Sequence, residues 1–506
     1  MLSVGHWTHW KPQVSFVRRG RKDDIVWSAH AWHRMSVRVL LDGYLRMSVM
    51  GDWITFPNGK KARRAWDSEP RRVPAWQALL RASHDVVPRP FCNCRHQGRN
   101  LELVVRRSTR KEQGRPVEAY HLARMPNQGG LHYVDCPFHQ SDPRHSGQSG
   151  YATGVVRETP DGHVRVALRR GLAVRDTART PSTIERDLQK ERASKKEGRP
   201  RQSRMTELGL LHLLWERSGT NAWHPAIGHV RTWWPGVRQR VLNAAVDIIV
   251  GKGNPLAEHL AMIGYGDADG PALLRDKVQT CGNNWRILLL GKVDSLGTIT
   301  SQKSGGGAAR QYTALRFDGA KDYHLYVTAD DSWFSRLSRR FPRSVEALQK
   351  ERSERQISVI GLVTATIKIR REAGKVSIWA WADDIALMEV DPTTLIPVES
   401  SYELRVTQAL CGENRAFTKP LRFDATGDVV HPDFILTDTQ DVRGTPMEVY
   451  GRDDEAYLAR KAVKDAYYNA TFGLDKWWSW DVQSSPDRWP DFPPAVIRPQ
   501  PGGDHD

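Results

Sequence analysis

Two hydrophobic periods alternate along the chain. Between Thr206 and Tyr265 apolar residues recur at helical spacing, at Leu208, Leu211, Leu214 and Trp215 and again at Val237, Val241, Ala244, Ala245 and Ile248. Two or three packed helices are predicted there. Over 283–390 the period falls to two or to short apolar runs, at 285–293, 324–327, 357–363 and 376–381. These read as strands of a barrel or a sandwich, with a helix over 333–348 between them. Alternation also marks 36–41 and 45–49 around the turn Asp42-Gly43, and the run 101–105. Near the C-terminus Leu404, Val406, Leu410 and Phe417 are spaced among polar residues behind Ser400 and Ser401, which predicts a serine-capped amphipathic helix with Glu403 in its first turn. Two short strands should follow at 429–436 and 446–450, joined through the turn residues of 438–445.

The pattern predicts a multidomain α+β chain. Its expected parts are a basic, Trp-rich, β-rich region (1–87), a zinc-ribbon-like β domain (88–180), a charged linker (181–205), a helical domain (206–282), a β-rich module (283–395), a C-terminal α/β domain (396–475) and a Trp/Pro-rich tail (476–506). A length of 506 residues is consistent with three or four domains that each bury a core.

Charge changes the picture more than length does. The formal net charge of +17 points to a polyanionic partner, and nucleic acid, taken here as DNA, is the first choice. Arg18, Arg19, Arg21 and Lys22, and later Lys60, Lys61, Arg63 and Arg64, stand among Trp7, Trp10, Trp27, Trp32, Trp53 and Trp66. Cations that track phosphates beside aromatic faces suit a single strand. The chain has no apolar run of about 18 residues and no start resembling a signal peptide, so a cytoplasmic protein with no membrane partner is expected. Gly305-Gly306-Gly307 is not followed by the Gly-Lys-Ser/Thr of a phosphate-binding loop, and no Ser/His/Asp or Cys/His nucleophile pair stands out.

Five cysteines are too few and too uneven for a disulfide framework, yet three of them cluster with histidines. Cys92, Cys94 and Cys136 offer three thiolates to a tetrahedral Zn²⁺, and His132 or His139 can supply the fourth ligand. His132 is preferred because it sits in one tight loop with Cys136, after Gly129-Gly130. The pattern is similar to zinc-ribbon and SWIM-type sites. With four protein ligands the role is structural.

The stretch 400–468 carries the other chemistry. Adjacent strands would bring the carboxylates of Asp433 and Glu448 close enough to share a hard cation such as Mg²⁺. Glu403 on a leading helix, Pro432-Asp433 on a second strand, Glu448-Val449-Tyr450 on a third, and a following helix with Tyr457, Lys461 and Lys464 resemble the PD-(D/E)XK, or restriction-endonuclease-like, superfamily. The resemblance implies a nuclease fold in which Asp433 and Glu448 hold the metal, Glu403 assists and a lysine supports the attacking hydroxide or the phosphorane charge. Tyr450 stands where the superfamily usually has that lysine. Lys461 is the first candidate to replace it and Lys464 the second.

The run 89–136, with Arg124-Met125-Pro126, His132 and Cys136, followed by 208–215 and Trp223-His224-Pro225, resembles an uncharacterised bacterial domain-of-unknown-function family of conjugative plasmids and integrated elements. That implies a DNA-processing setting, with other proteins of a mobile element or defence system as partners. The resemblance is expected over most of the chain after residue 88.

Overall fold

A computed structural model describes residues 53–496 apart from 68–70, 95–99, 113–114, 126–127, 134–135, 137, 140–150, 153, 160–161, 175–203, 226–235, 252, 266–268, 302–309, 373–374, 423–429 and 442. The strands expected over 36–49, the glycines 305–307 and nearly all of the charged 181–205 segment lie outside the described residues. What is described is mixed α+β, with four sheets and eight α-helices. No described helix is long and apolar enough to cross a membrane.

The first sheet has the order β2-β1-β3-β4-β5, built from β1 (Trp53–Thr55), β2 (Lys61–Arg63), β3 (Phe91–Cys92), β4 (Leu101–Glu112) and β5 (Arg115–Arg124). Helix α1 (Val73–Ser83) has a proline in its first turn, where the missing N–H costs nothing, and buries Trp76 and Leu80. Trp76 meets Phe56 edge-on at 5.7 Å. Gln77 pins the helix to β5, its amide exchanging two 2.8 Å hydrogen bonds with the backbone of Tyr120. A boundary at 87/88 would cut this sheet.

Further along, β6 (Val156–Glu158) pairs with β7 (Val164–Val166), and β7 pairs with a strand beyond a helical segment. That segment begins with α2 (Glu207–Arg217), whose cap Thr206 accepts from Gly209 N–H at 3.3 Å. It continues through β8 (Ala222–Trp223), α3 (Arg238–Asp247), β9 (Ile248–Val250), β10 (Asn254–Pro255), β11 (Leu260–Ile263) and α4 (Gly270–Cys281). Strands β9 and β10 complete a four-stranded sheet of order β10-β9-β7-β6. The region 206–282, expected to be helical, thus lends strands to three different sheets.

The next five strands close on themselves. They are β12 (Ile287–Ser301), β13 (Arg310–Phe317), β14 (Leu325–Asp330), β15 (Ser358–Glu372) and β16 (Lys375–Val390), and their pairing runs β12-β13-β14-β16-β15 and back to β12. The β14–β16 pairing is parallel and the other four are antiparallel. Between β14 and β15 lie α5 (Ser332–Arg340) and α6 (Pro342–Gln349). This is the connectivity of the five-stranded Greek-key barrel called the OB-fold. Of the two expected architectures, the barrel forms. The single helix expected over 333–348 is two, because Pro342 cannot continue α5 and Phe341 takes an extended φ of −134° before it.

Closure has a local cause. Gly291 and Gly361 face each other across β12 and β15, where a Cβ on Gly291 would lie 2.7 Å from the Ile263 carbonyl oxygen of β11. Bulges at Val293/Ser295 and Thr364/Ala365 bend the long strands. The apolar run starting at Ile287 is explained by burial on both sides. Leu289, Val363, Ile385 and Leu387 fill the barrel, while Leu288, Leu290, Ile360, Leu362 and Met388 pack outward with Leu210, Leu211 and Leu214 of α2.

The last unit runs α7 (Ser401–Gly412), β17 (Phe417–Thr418), β18 (Phe434–Leu436), β19 (Thr445–Tyr450), α8 (Glu455–Phe472) and β20 (Trp478–Asp481). Its sheet has the order β20-β19-β18-β17-β8, with β19 and β20 parallel. Phe417, expected on the leading helix, lies instead on β17. The C-terminal segment, expected as a tail, contributes the edge strand β20, and Trp480 is fully buried.

Candidate active site and candidate metal centre

Two constellations gather titratable side chains. The first lies beside the N-terminal sheet. Cys92 ends β3, Cys94 follows two residues later, and the single helical turn Gly129–Leu131 after β5 delivers His132 and Cys136. Their ligand atoms all lie within 4.8 Å of one another and all four residues are buried. Cys92 Sγ is 3.6 Å from Cys136 Sγ, and His132 Nδ1 is 3.3 Å from Cys94 Sγ and 3.5 Å from Cys136 Sγ. A tetrahedron with Zn–S of about 2.3 Å and Zn–N of about 2.0–2.1 Å has edges of about 3.5–3.8 Å, so the spacings fit. Hydrogen bonds from Cys136 and Cys92 hold the Cys94 thiol far below its usual range, while burial pushes Cys136 up. This Cys₃His set could bind a metal such as zinc. The histidine in the cluster is His132.

The second constellation sits in the C-terminal unit. Ser400 caps α7 by accepting from Glu403 N–H at 3.0 Å, and the Glu403 carboxylate turns back to accept from Glu399 N–H at 2.9 Å. This reciprocal arrangement fixes the buried carboxylate at the start of the helix. Lys419, only 1% exposed, reaches Glu403 at 2.8 Å. Asp433 stands just before β18, and its N–H donates to the Met447 carbonyl at 2.9 Å, one residue short of Glu448 on β19. Asp433 Oδ2 accepts from Val449 N–H at 2.8 Å, and its Oδ1 from Arg422 at 3.2 Å. Glu448, 1% exposed, accepts from Lys464 Nζ and from Tyr468 Oη, both at 2.6 Å. Lys464 also donates to the His431 carbonyl at 3.0 Å.

The electrostatics follow from burial and neighbours. Burial pushes the Glu448 carboxyl up to about 8, with Asp433 adding to the rise and Lys464 opposing it. Glu403 is pushed up to about 7, again first by burial and then by Asp433 and Glu399 against the pull of Lys419. Burial also acts on Asp433, but Lys419, Lys464 and Arg422 together hold it below its ordinary value. His431 is driven down to about 3 by burial and by Arg422 and Lys419. Near neutral pH the cluster therefore holds an ionised Asp433 beside a Glu448 poised to lose its proton.

A protein-family profile matches residues 65–263 and 309–483, most of the chain. The chain belongs to the DUF1173 family, described as a protein of unknown function. The match opens at residue 65, upstream of the expected 88, and its second segment takes in both Asp433 and Glu448. No curated protein and no solved structure matches the chain.

In this DUF1173 protein the two candidate lysines part company. Lys464 touches Glu448, whereas Lys461 pairs with Asp481 at 2.5 Å and lies 4.8 Å from the Tyr450 ring centroid. Of the two, Lys464 is the one that reaches Glu448. The cause is helical phase. Lys464 and Tyr468 are four apart on α8 and face Glu448 together, and Lys461 is turned toward β20. Tyr450, at the usual lysine position, donates to Asp465 at 2.6 Å. Sequence reasoning missed Lys419, Arg422 and Tyr468. The spacing of Lys464 to Tyr468 was the available signal for the last of these. Of the N-terminal cations, Arg18, Arg19, Arg21 and Lys22 lie outside the described residues, Lys60 and Lys61 are exposed on the β1–β2 hairpin, and Arg64 stacks 4.9 Å from the Phe138 ring centroid.

Proposed function

We propose that this protein is a metal-dependent deoxyribonuclease of a mobile genetic element, with a restriction-endonuclease-like C-terminal unit that hydrolyses phosphodiester bonds. The observation that carries the reading is that Asp433 bonds to Met447 and Val449, on either side of Glu448, while Lys464 reaches Glu448 itself. The residues that carry the PD-(D/E)XK resemblance lie on a leading helix (Glu403), just before β18 (Asp433), on β19 (Glu448) and on the next helix (Lys464). Asp433 and Glu448 would hold a Mg²⁺ ion, which when bound supplies Lewis-acid polarisation of a phosphate and acidifies water. Lys464 is placed to stabilise anionic charge beside that pair, and Lys419 keeps Glu403 fixed behind it. The basic composition supplies attraction for the DNA backbone, and the Cys₃His cluster acts as a structural zinc site.

A second reading has its own support. Lys464 and Tyr468 occupy both oxygens of Glu448, and Tyr450 replaces the usual lysine. On that basis the unit would be an inactive nuclease fold serving as a DNA-binding or assembly factor in a conjugation or defence complex. Cleavage of supercoiled plasmid and of labelled single strands, with Mg²⁺, Mn²⁺ or EDTA, separates the two. Cutting that Asp433→Ala, Glu448→Ala and Lys464→Met abolish while Lys461→Met retains it supports the nuclease. DNA binding without cutting under either metal supports the scaffold.

A further inference from the structure

Among the described residues, the five-stranded barrel is covered on one side and open on the other. The half that carries Leu288, Leu290, Ile360 and Leu362 packs against α2. The opposite half, where β14 runs between β13 and β16, presents aromatic side chains outward. Along β14 and β16 burial alternates, with Leu325, Val327, Ile378 and Ala380 inside and Tyr326, Trp379 and Trp381 outside. Parallel pairing puts Tyr326 level with Trp379, and the rings stack at 4.9 Å with a 21° interplanar angle. Trp381, two residues on, meets Tyr312 of β13 edge-on at 5.9 Å. Tyr326 is 50% exposed and Trp381 43%. Leaving such rings in water forfeits the burial that drives folding, so their alignment on one face calls for a ligand.

The charges on the same face indicate which ligand. Lys368 and Arg370 of β15 pair opposite Trp379 and Ser377 and are exposed, and the Arg370 guanidinium lies 4.4 Å from the Trp379 centroid. Exposed Arg310 and Arg316 share the side of β13 that carries Tyr312. Among the described side chains the acids on this face are matched, Asp330 by Arg336 at 2.9 Å and Asp383 by Arg286 at 2.8 Å, and the surplus is positive. Flat rings beside these cations suit unpaired bases on a phosphate backbone, whereas a duplex hides its base faces.

We infer that the outer β13-β14-β16-β15 face of the barrel binds single-stranded DNA, with bases stacked on the Tyr326/Trp379 and Tyr312/Trp381 pairs and phosphates on Lys368, Arg370, Arg310 and Arg316. The choice of DNA over RNA rests on the proposed nuclease reading. The face itself does not, and it lies on a different sheet from Asp433 and Glu448.

The test measures fluorescence anisotropy of labelled oligo-dT on the full-length protein in EDTA, where metal-dependent cutting is silent. Loss of one stacked base predicts a weakening of about five- to 150-fold for Trp379→Ala and for Trp381→Ala, with Trp381→Phe recovering most of it. Reversing Lys368 and Arg370 to glutamate should flatten the salt dependence by about 1.4 in log–log slope. Melting curves matching the wild type certify the variants' folds, and Tyr326→Ala replaces either tryptophan variant that fails this check. Asp433→Asn should bind oligo-dT as the wild type does, so a failure to cut leaves this proposal standing. Unchanged oligo-dT affinity in the folded aromatic variants overturns it, as does tighter binding of a duplex or of oligo-rU than of oligo-dT.

Discussion

The buried carboxylates would make the affinity of the proposed Mg²⁺ site a function of pH. With Glu448 held at about 8 and Asp433 below its usual value, a cation shared by the two must displace one proton, that of Glu448. At pH 7 about a tenth of Glu448 is ionised and at pH 8.5 about three quarters, so apparent Mg²⁺ affinity should tighten about eightfold over that interval and flatten above it. Titration calorimetry in buffers of different ionisation enthalpy should show about 0.9 proton released per cation at pH 7. Lys464 pulls the Glu448 value down, so Lys464→Met should move the rise to higher pH. Without cation the sign reverses for stability. The folded state keeps a proton on Glu448 that the unfolded chain releases near 4.5, so stability is full below that pH and is lost as pH rises through about 8. Mg²⁺ affinity that stays flat from pH 7 to 8.5, with no proton release, would refute the burial argument.

Three further outcomes follow from residues described above. Cys136→Ser should lose bound zinc by elemental analysis and make the β1–β5 sheet protease-sensitive, since structural zinc sites contribute about 10–16 kcal/mol of apparent binding energy in small modules. Lys419→Met should cost about 3–5 kcal/mol in urea unfolding by leaving Glu403 buried and unpaired, and adding Glu403→Gln should recover much of it. Ser400→Ala, which removes only the cap of α7, should cost about 1 kcal/mol and lower the proposed nuclease activity less than Glu403→Gln does.

Short-range signals read well from the sequence because their causes are short-range. The Ser400 cap, the β18–β19 hairpin and the Cys-x-Cys pair each depend on residues a few positions apart, and each appears in the structure. The α2 and α3 helices were legible by period alone. What stayed hidden depends on distant pairing. Nothing local in Leu325–Asp330 announces that it lies parallel to β16, which is the step that turns a set of strands into a barrel. No local pattern marks Lys419 and Arg422, and only the fold brings them to Glu403 and Asp433. Trp379 and Trp381 read as strand residues, and their common outward face emerges only once the barrel closes.

The short strand β8 bears on how the chain can be divided. Ala222 and Trp223 pair with Thr418 and Phe417, and the Asn221 side chain donates to the Lys419 carbonyl at 2.8 Å. A fragment beginning near residue 396 would therefore lack its outermost strand and present the β17 edge to other copies, which is a route to aggregation. During synthesis Ala222 and Trp223 leave the ribosome long before Phe417 exists, so the sheet around Asp433 and Glu448 can be completed only after Asp481 has been added.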